Sequence, residues 1–268
     1  MKTIQISTGT LCIILALLLC ALPGTSHANL SGSDNFNDNS KDLTKWGTDF
    51  VFDPGTTPGA LTETNLRLEY TATGASSKEQ SLRPWIANSG SYTSDWSVQI
   101  DVNVPNLTLA SGQQIRFGVG VVNHANSTDN MSMDLRLDSV QGRVFHSIAT
   151  TNGVDQGSGP VSSTTALTLA TIRIRYAAAS TTLFADFTTV GSNTFTNLSS
   201  WDVAGWGMNA SSAFDVAAGG QSRGSLVVSS SANVNGDNFV AAPEPTTLAL
   251  AAIGSLALLG RSTRRRRN

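Results

Sequence analysis

Between residues 66 and 187 the chain repeatedly sets apolar side chains at every second position, and this alternation limits the possible folds more than any other feature of the sequence. Leu66, Leu68 and Tyr70 alternate with Arg67 and Glu69, and Val98, Ile100, Val102 and Val104 alternate with Gln99, Asp101 and Asn103. The pattern returns in Ile115, Phe117, Val119 and Val121, in Met131, Met133, Leu135 and Leu137 against Asp134, Arg136 and Asp138, and in Ile172, Ile174 and Tyr176 against Arg173 and Arg175. Leu183, Ala185 and Phe187 follow, then residues 226–228. Successive side chains of a strand point to opposite faces, so a period of two means strands with one face buried and one wet. Turn formers such as Gln141-Gly142, Asn152-Gly153 and Gly219-Gly220 separate the stretches, and none keeps a 3.6-residue period long enough for a helix. The prediction is an all-β chain of roughly ten to twelve strands, arranged as two antiparallel sheets packed face to face.

The part that must fold is residues 29–242, read as one domain, because both ends of the chain look like addresses. A segment of that length buries most of its apolar surface in one core without a metal or a disulfide. Cys12 and Cys20 both precede it, which excludes a disulfide scaffold, a zinc finger, a thiol enzyme and an iron–sulfur protein for the core. The core carries 11 basic and 18 acidic residues, a net charge of −7. A nucleic-acid partner is excluded on the same ground, since neutralising phosphates needs a basic face.

Residues 1–28 have the three parts of a secretory signal peptide: the positive Lys2, an uncharged apolar run at 11–22, and Ser26-His27-Ala28. Twelve helical residues rise about 18 Å, short of a ~30 Å hydrocarbon layer, and the small residues Ser26 and Ala28 suit a signal peptidase cut before Asn29. At the other end, residues 243–268 read Pro243-Glu244-Pro245, an uncharged apolar stretch at 246–260, then Arg261, Arg264, Arg265, Arg266 and Arg267. The stretch is too short for a comfortable permanent span, and the arginines resist translocation, so the chain pauses with its core outside and its tail inside. This order resembles the PEP-CTERM sorting signal of Gram-negative bacteria. The resemblance implies transient inner-membrane association, tail removal by an exosortase-like membrane protease, and delivery to the cell surface or extracellular matrix. An ordinary tail anchor is the other reading.

Asp34-Asn35-Phe36 near the start returns as Asp237-Asn238-Phe239 near the end, and the first copy leads into Asp42-Leu43-Thr44-Lys45-Trp46. With the strand rhythm between them, these segments resemble the edges of the concanavalin A-like lectin/glucanase jelly roll. The resemblance implies first and last strands side by side, with Phe36 and Phe239 on one inner face. From the two terminal segments, the sandwich is expected to be flanked by an N-terminal signal helix and a short C-terminal hydrophobic helix.

Glucanases of that family carry a carboxylate trio on one strand, with nucleophile and acid about 5–5.5 Å apart in retaining enzymes. Glu63 and Glu69 share a face only if one regular strand joins them, and Asp134 and Asp138 read as the wet side of a strand. His124 in a turn and His146 in a strand are expected at the surface, and no Gly-x-Ser-x-Gly elbow occurs. No catalytic residue is assigned. Asp34, Asp38 and Asp42, with Asp237 if the edge strands pair, gather oxygen ligands of the kind Ca2+ takes, although the same residues also make turns. Trp85, beside Pro84, and Trp206, between Gly205 and Gly207, are the tryptophans to expect exposed for stacking on a sugar, or else packed in the core. The reading is an exported surface or matrix protein with a non-catalytic module that binds envelope or extracellular glycan or serves structurally. The alternative is a secreted glycan-active hydrolase or lyase, disfavoured by the missing carboxylate trio.

Overall fold

The computed structural model describes residues 30–52, 55–156 and 159–244. The expected signal helix and C-terminal hydrophobic helix lie outside the described residues, as do Ser26, Ala28, Pro245 and the arginines from Arg261 to Arg267. Among the described residues no helix is long and apolar enough to cross a membrane.

The strands are β1 (Gly32–Asp34), β2 (Thr57–Pro58), β3 (Ala60–Thr64), β4 (Arg67–Thr73), β5 (Lys78–Ser91), β6 (Trp96–Asn103), β7 (Gln114–Asn123), β8 (Asn126–Asp138), β9 (Gly142–Thr151), β10 (Val154–Asp155), β11 (Val161–Thr164), β12 (Leu169–Ala177), β13 (Thr182–Thr188), β14 (Thr196–Asp202), β15 (Ala213–Arg223), β16 (Val227–Val228) and β17 (Asn235–Pro243). The surplus over the expected number comes from very short pieces such as β2, β10 and β16. A nine-stranded sheet runs β14-β13-β12-β6-β17-β4-β16, with β1 on β17 and β3 on β4. An eight-stranded sheet runs β10-β9-β8-β7-β15-β5-β2, with β11 on β9. Every pairing is antiparallel except β2 with β5.

The two sheets form a sandwich because the alternating apolar residues of each point at the other. Val98, Ile100 and Val102 of β6 and Ile172 and Ile174 of β12 are fully buried, as are Ile115, Phe117 and Met133 of the opposite sheet. Phe145 on β9 stacks on Phe187 on β13 across the interface, with ring centroids 4.1 Å apart. Burying each such side chain contributes about 1.5–3 kcal/mol. Gly236 on β17 leaves room for Phe117 and Ile100 to pack over it, since a Cβ there would sit 2.4 Å from the Phe117 ring and 2.6 Å from Ile100 Cδ1.

The first and last strands are adjacent, with Gly32, Ser33 and Asp34 paired to Ala241, Val240 and Phe239. Phe36 and Phe239 are both fully buried against Trp46, at centroid distances of 5.7 and 4.8 Å. The twin Asp-Asn-Phe segments therefore close one aromatic cluster.

Two sequence readings are corrected. Gly219-Gly220, expected as a turn, lies inside β15, paired to β5 and β7 on its two sides. Leu66 does not continue the inward series of Leu68 and Tyr70, because Asn65 and Leu66 both take positive φ, 53° and 62°, and form the two-residue turn between β3 and β4. Leu66 stands 54% exposed, and its N–H is held by Asn39 Oδ1 at 2.8 Å.

Candidate functional site

The alternation that sends Phe117, Met133, Leu135 and Phe145 inward sends Arg116, Asp134, Arg136 and His146 to the outer face of the eight-stranded sheet. Register brings them together: Arg116 lies opposite Arg136, Gly118 opposite Asp134, and Asp134 opposite His146. Opposite residues share a face, so the four side chains meet above the centre of β7, β8 and β9. Asp134 Oδ1 accepts from Arg136 Nε at 3.1 Å, and Oδ2 accepts from Arg136 Nη2 and Arg116 Nη1, each at 3.2 Å. His146 Nδ1 lies 2.7 Å from Arg136 Nη2. The same Nδ1 lies 3.3 Å from Asp134 Oδ2, so the imidazole faces both the guanidinium and the carboxylate.

Sequence reading placed Asp134 and His146 at the surface, and the structure corrects both: they are 4% and 3% exposed. The polar residues of this face cover one another. Burial opposes ionisation of Asp134, but the charges of Arg136 and Arg116 outweigh it and hold the carboxyl well below the usual carboxylate range. Beside Asp134 two buried glycines carry no side chain. Gly118 and Gly219 pair across β7 and β15, and a Cβ on Gly118 would lie 2.2 Å from Met133 O and 2.9 Å from Asp134 Cβ. Gly120 and Ala217, the next outward pair, are partly exposed and continue this strip of small residues.

At the end of that strip Asp215 accepts from Ser89 Oγ at 3.3 Å and contacts His124 Nδ1 at 2.8 Å. His124 is exposed, as expected. The hydroxyl bonds the carboxylate rather than the imidazole, so a serine nucleophile is not activated here.

Glu63 and Glu69 are not on one strand; the Asn65-Leu66 turn lies between them. Glu63 bridges the sheets through Arg83 Nη1 at 2.5 Å, while Arg83 also donates to Asp49 Oδ1 from Nε at 2.8 Å. Burial pushes the Glu63 carboxyl up, against the pull of Arg83, with Asp34 and Asp38 adding to the rise.

The four aspartates proposed for Ca2+ also accept hydrogen bonds within the protein. Asp34 accepts from Phe36 N at 2.9 Å and Trp46 Nε1 at 2.8 Å. Asp38 accepts from Ser40 N at 3.1 Å, and Asp42 from the N and Oγ1 of Thr44 at 2.9 and 2.6 Å. Asp237 accepts from Asn238 N at 2.7 Å; burial pushes its carboxyl up, with the Asp101 and Asp34 charges pushing the same way. Among the described residues no group of three or more His, Cys, Asp or Glu is placed to hold a metal ion.

Trp85 and Trp206 are each 4% exposed, so of the two readings, open to a sugar or packed in the core, both take the second. Trp85 packs on Trp46 and Phe239 at 5.0 and 4.9 Å. Trp206 packs 6.0 Å from Phe214 and donates from Nε1 to Thr151 Oγ1 at 3.1 Å. The flanking proline and glycines suggested loops. Pro84 is nonetheless a strand residue, because its carbonyl points to Gly47 N on the edge side of β5, where the missing N–H costs no bond to β15.

Of the sorting residues, Pro243 ends β17 and Glu244 follows it. Residues 241–267 match the model of the PEP-CTERM protein-sorting motif. That motif implies export, sorting to the cell surface and processing by an exosortase-like protease. No curated protein sequence matches the chain. Among solved structures it is similar to the carbohydrate recognition domain of Emp47p, at 9% identity and TM-score 0.51 over 83% of this chain and 100% of that one. It is also similar to an endo-1,3-beta-glucanase from Streptomyces sioyaensis, at 14% identity and TM-score 0.50 over 82% of this chain and 96% of the other. A xylan beta-1,4-xylosidase from Bacillus halodurans aligns with 83% of the chain at 14% identity and TM-score 0.47, and the chain spans 41% of its length. These likenesses concern the fold. The protein therefore joins a two-sheet β-sandwich, similar in fold to these concanavalin-like jelly-roll domains, to a PEP-CTERM sorting motif that begins inside its last strand.

Proposed function

We propose that this is a surface protein of a Gram-negative envelope whose sandwich binds glycan without cleaving it, on the outer face of the eight-stranded sheet. The observation that carries the reading is the state of Asp134. It is ionised and clamped between two guanidinium groups, and the next carboxylate outward on its strand, Asp138, is four residues away, about 13 Å at the rise of a strand. Retaining glycosidases hold their two carboxyls about 5–5.5 Å apart and inverting ones about 6.5–9.5 Å. Asp138 is in addition committed to Gln114 Nε2 at 2.8 Å and to the backbone of its own turn. The face thus sets a fixed charged cluster beside the partly exposed, small Gly120 and Ala217, an arrangement that suits hydroxyl recognition. The lectin-type likeness supports the same reading at the level of fold.

The second reading is a lyase. Arg116, Arg136 and His146 are the residue types that neutralise a uronate carboxylate and move the adjacent carbon-bound proton. One experiment separates the two readings: the exported protein is screened on a glycan array, and each hit is incubated with it and analysed for new chain ends. Binding with no new ends, weakened about tenfold or more by Arg116→Ala, is the expected result, a loss of the size of one charged hydrogen bond. Unsaturated ends would establish the lyase, and saturated reducing ends abolished by Asp134→Asn would establish a hydrolase.

A further inference from the structure

The sorting motif and the fold overlap. The motif match begins at residue 241, while β17 runs to Pro243. Ala241 is 3% exposed and pairs with Gly32 on one side and Val98 on the other. Pro243 is in register with Trp96 of β6. Glu244 is still attached: its N–H donates to Asp95 O at 3.1 Å, and its Oε1 lies 3.9 Å from Arg173 Nη1.

Arg173 is built to hold that position. Its Nε and Nη2 donate to Asp186 Oδ2 at 3.3 and 2.8 Å, and its guanidinium lies 3.8 Å over the Phe195 ring. Asp186 is 2% exposed and is also bonded by Arg175 Nε and Asn197 Nδ2, at 2.8 and 2.9 Å. With one edge of the guanidinium fixed and one face covered, Nη1 is left directed at Glu244.

A protease takes its substrate as an extended segment free of other pairing, so peptide bonds inside an ordered sheet are poor targets and cleavage concentrates in chain without such bonds. Bonds up to Pro243–Glu244 are tied to the sandwich. The following bond, Glu244–Pro245, is a tertiary amide with no N–H and a locked φ, which denies a binding groove one of its main-chain contacts.

Resting on the sorting reading, we propose that the bond cut during sorting lies C-terminal to Pro245, so that the mature protein keeps Pro243, Glu244 and Pro245, with Arg173 as the positioning residue that clamps Glu244. The processing step is hydrolysis or transfer of one backbone amide, the proline carbonyl or a later one being the acyl group and the tail amine the leaving group, with water or an envelope amine as acceptor.

The test is intact mass and C-terminal sequencing of the surface form, made by a cell that carries an exosortase-like protease. A C-terminus at Pro245 or later is expected. One at Glu244 or earlier overturns the proposal and leaves the sorting reading standing, whereas recovery of the chain with Arg267 and Asn268 attached overturns both. In Arg173→Ala, a shorter product ending before Pro245 is expected beside the normal one, and Arg173→Lys is expected to restore the single product. An unchanged product pattern in Arg173→Ala removes Arg173 from the clamp.

Discussion

Asp34 accepts a hydrogen bond from the indole Nε1 of Trp46 at 2.8 Å while its other oxygen accepts from the backbone of Phe36. A single carboxylate thus fixes two of the aromatic residues that close the first strand onto the last. Phe36 sits at φ 51°, a conformation unfavourable for a bulky residue, and the bond from its own N–H to Asp34 helps hold it there.

Asp34→Ala is expected to destabilise the fold by about 1.5–3 kcal/mol, the range for hydrogen bonds to charged groups. That corresponds to a fall of roughly 3–12 °C in Tm for a domain of this size. Because these oxygens serve the fold, melts of the unmutated protein with calcium and with chelator are expected to coincide. A calcium-dependent rise in Tm that disappears in Asp38→Ala would restore the aspartates as ligands.

The Asp134 cluster sets an acid limit. Its carboxyl is held below its unfolded value, so the stability it contributes is present above about pH 4 and is lost as the pH falls through the folded value. Asp134→Asn removes the buried carboxylate that Arg136 and Arg116 both bond and is expected to cost about 3–5 kcal/mol near neutral pH. The variant is expected to lose less further stability than the unmutated protein between pH 4 and pH 2. Equal acid slopes in denaturant titrations of the two proteins would show that the carboxylate is not the group titrating.

Gly236→Ala places a methyl against Phe117 and Ile100, two fully buried side chains from opposite sheets. Overpacking of this kind costs about 1–3 kcal/mol. Urea unfolding is expected to show a lower midpoint with an unchanged slope, and an unchanged midpoint would mean that the sheets part more easily here than their packing implies.

Trp85→Ala is expected to act through stability, losing about 3–5 kcal/mol as large aromatic truncations do. Measured below its melting temperature, the variant is expected to bind glycan as the unmutated protein does. A large affinity loss with an unchanged melt would return Trp85 to the binding surface.

The sandwich was legible because alternation is a local signal: Val98 to Val104 and Ile172 to Tyr176 face the core where their period places them. The closure of the edges was legible because Asp-Asn-Phe occurs twice. The binding face was harder to read. Period two assigns Asp134 and His146 to the outer face correctly, but says nothing of what lies beside them, and their burial depends on β7 and β9 bringing Arg116 and the imidazole alongside. Arg136, two residues along the same strand, was the available signal, since two arginines and an aspartate on neighbouring strands seek one another. Trp85 misled because proline reads as a loop wherever the direction of its missing N–H is unknown. The Asn65-Leu66 turn was hidden because leucine is a rare occupant of a left-handed turn position.

The place of β17 gives the chain an order of assembly. Its partners β6 and β4 flank it, so before it arrives the nine-stranded sheet is two separate pieces, β14-β13-β12-β6 on one side and β4 with β3 and β16 on the other. A chain that crosses a membrane from its N-terminus delivers this strand last, immediately ahead of the sorting tail. The sheet therefore locks only when the chain up to Pro243 is free to pair with β4 and β6, so the residues next to the sorting motif are the ones that complete the sandwich.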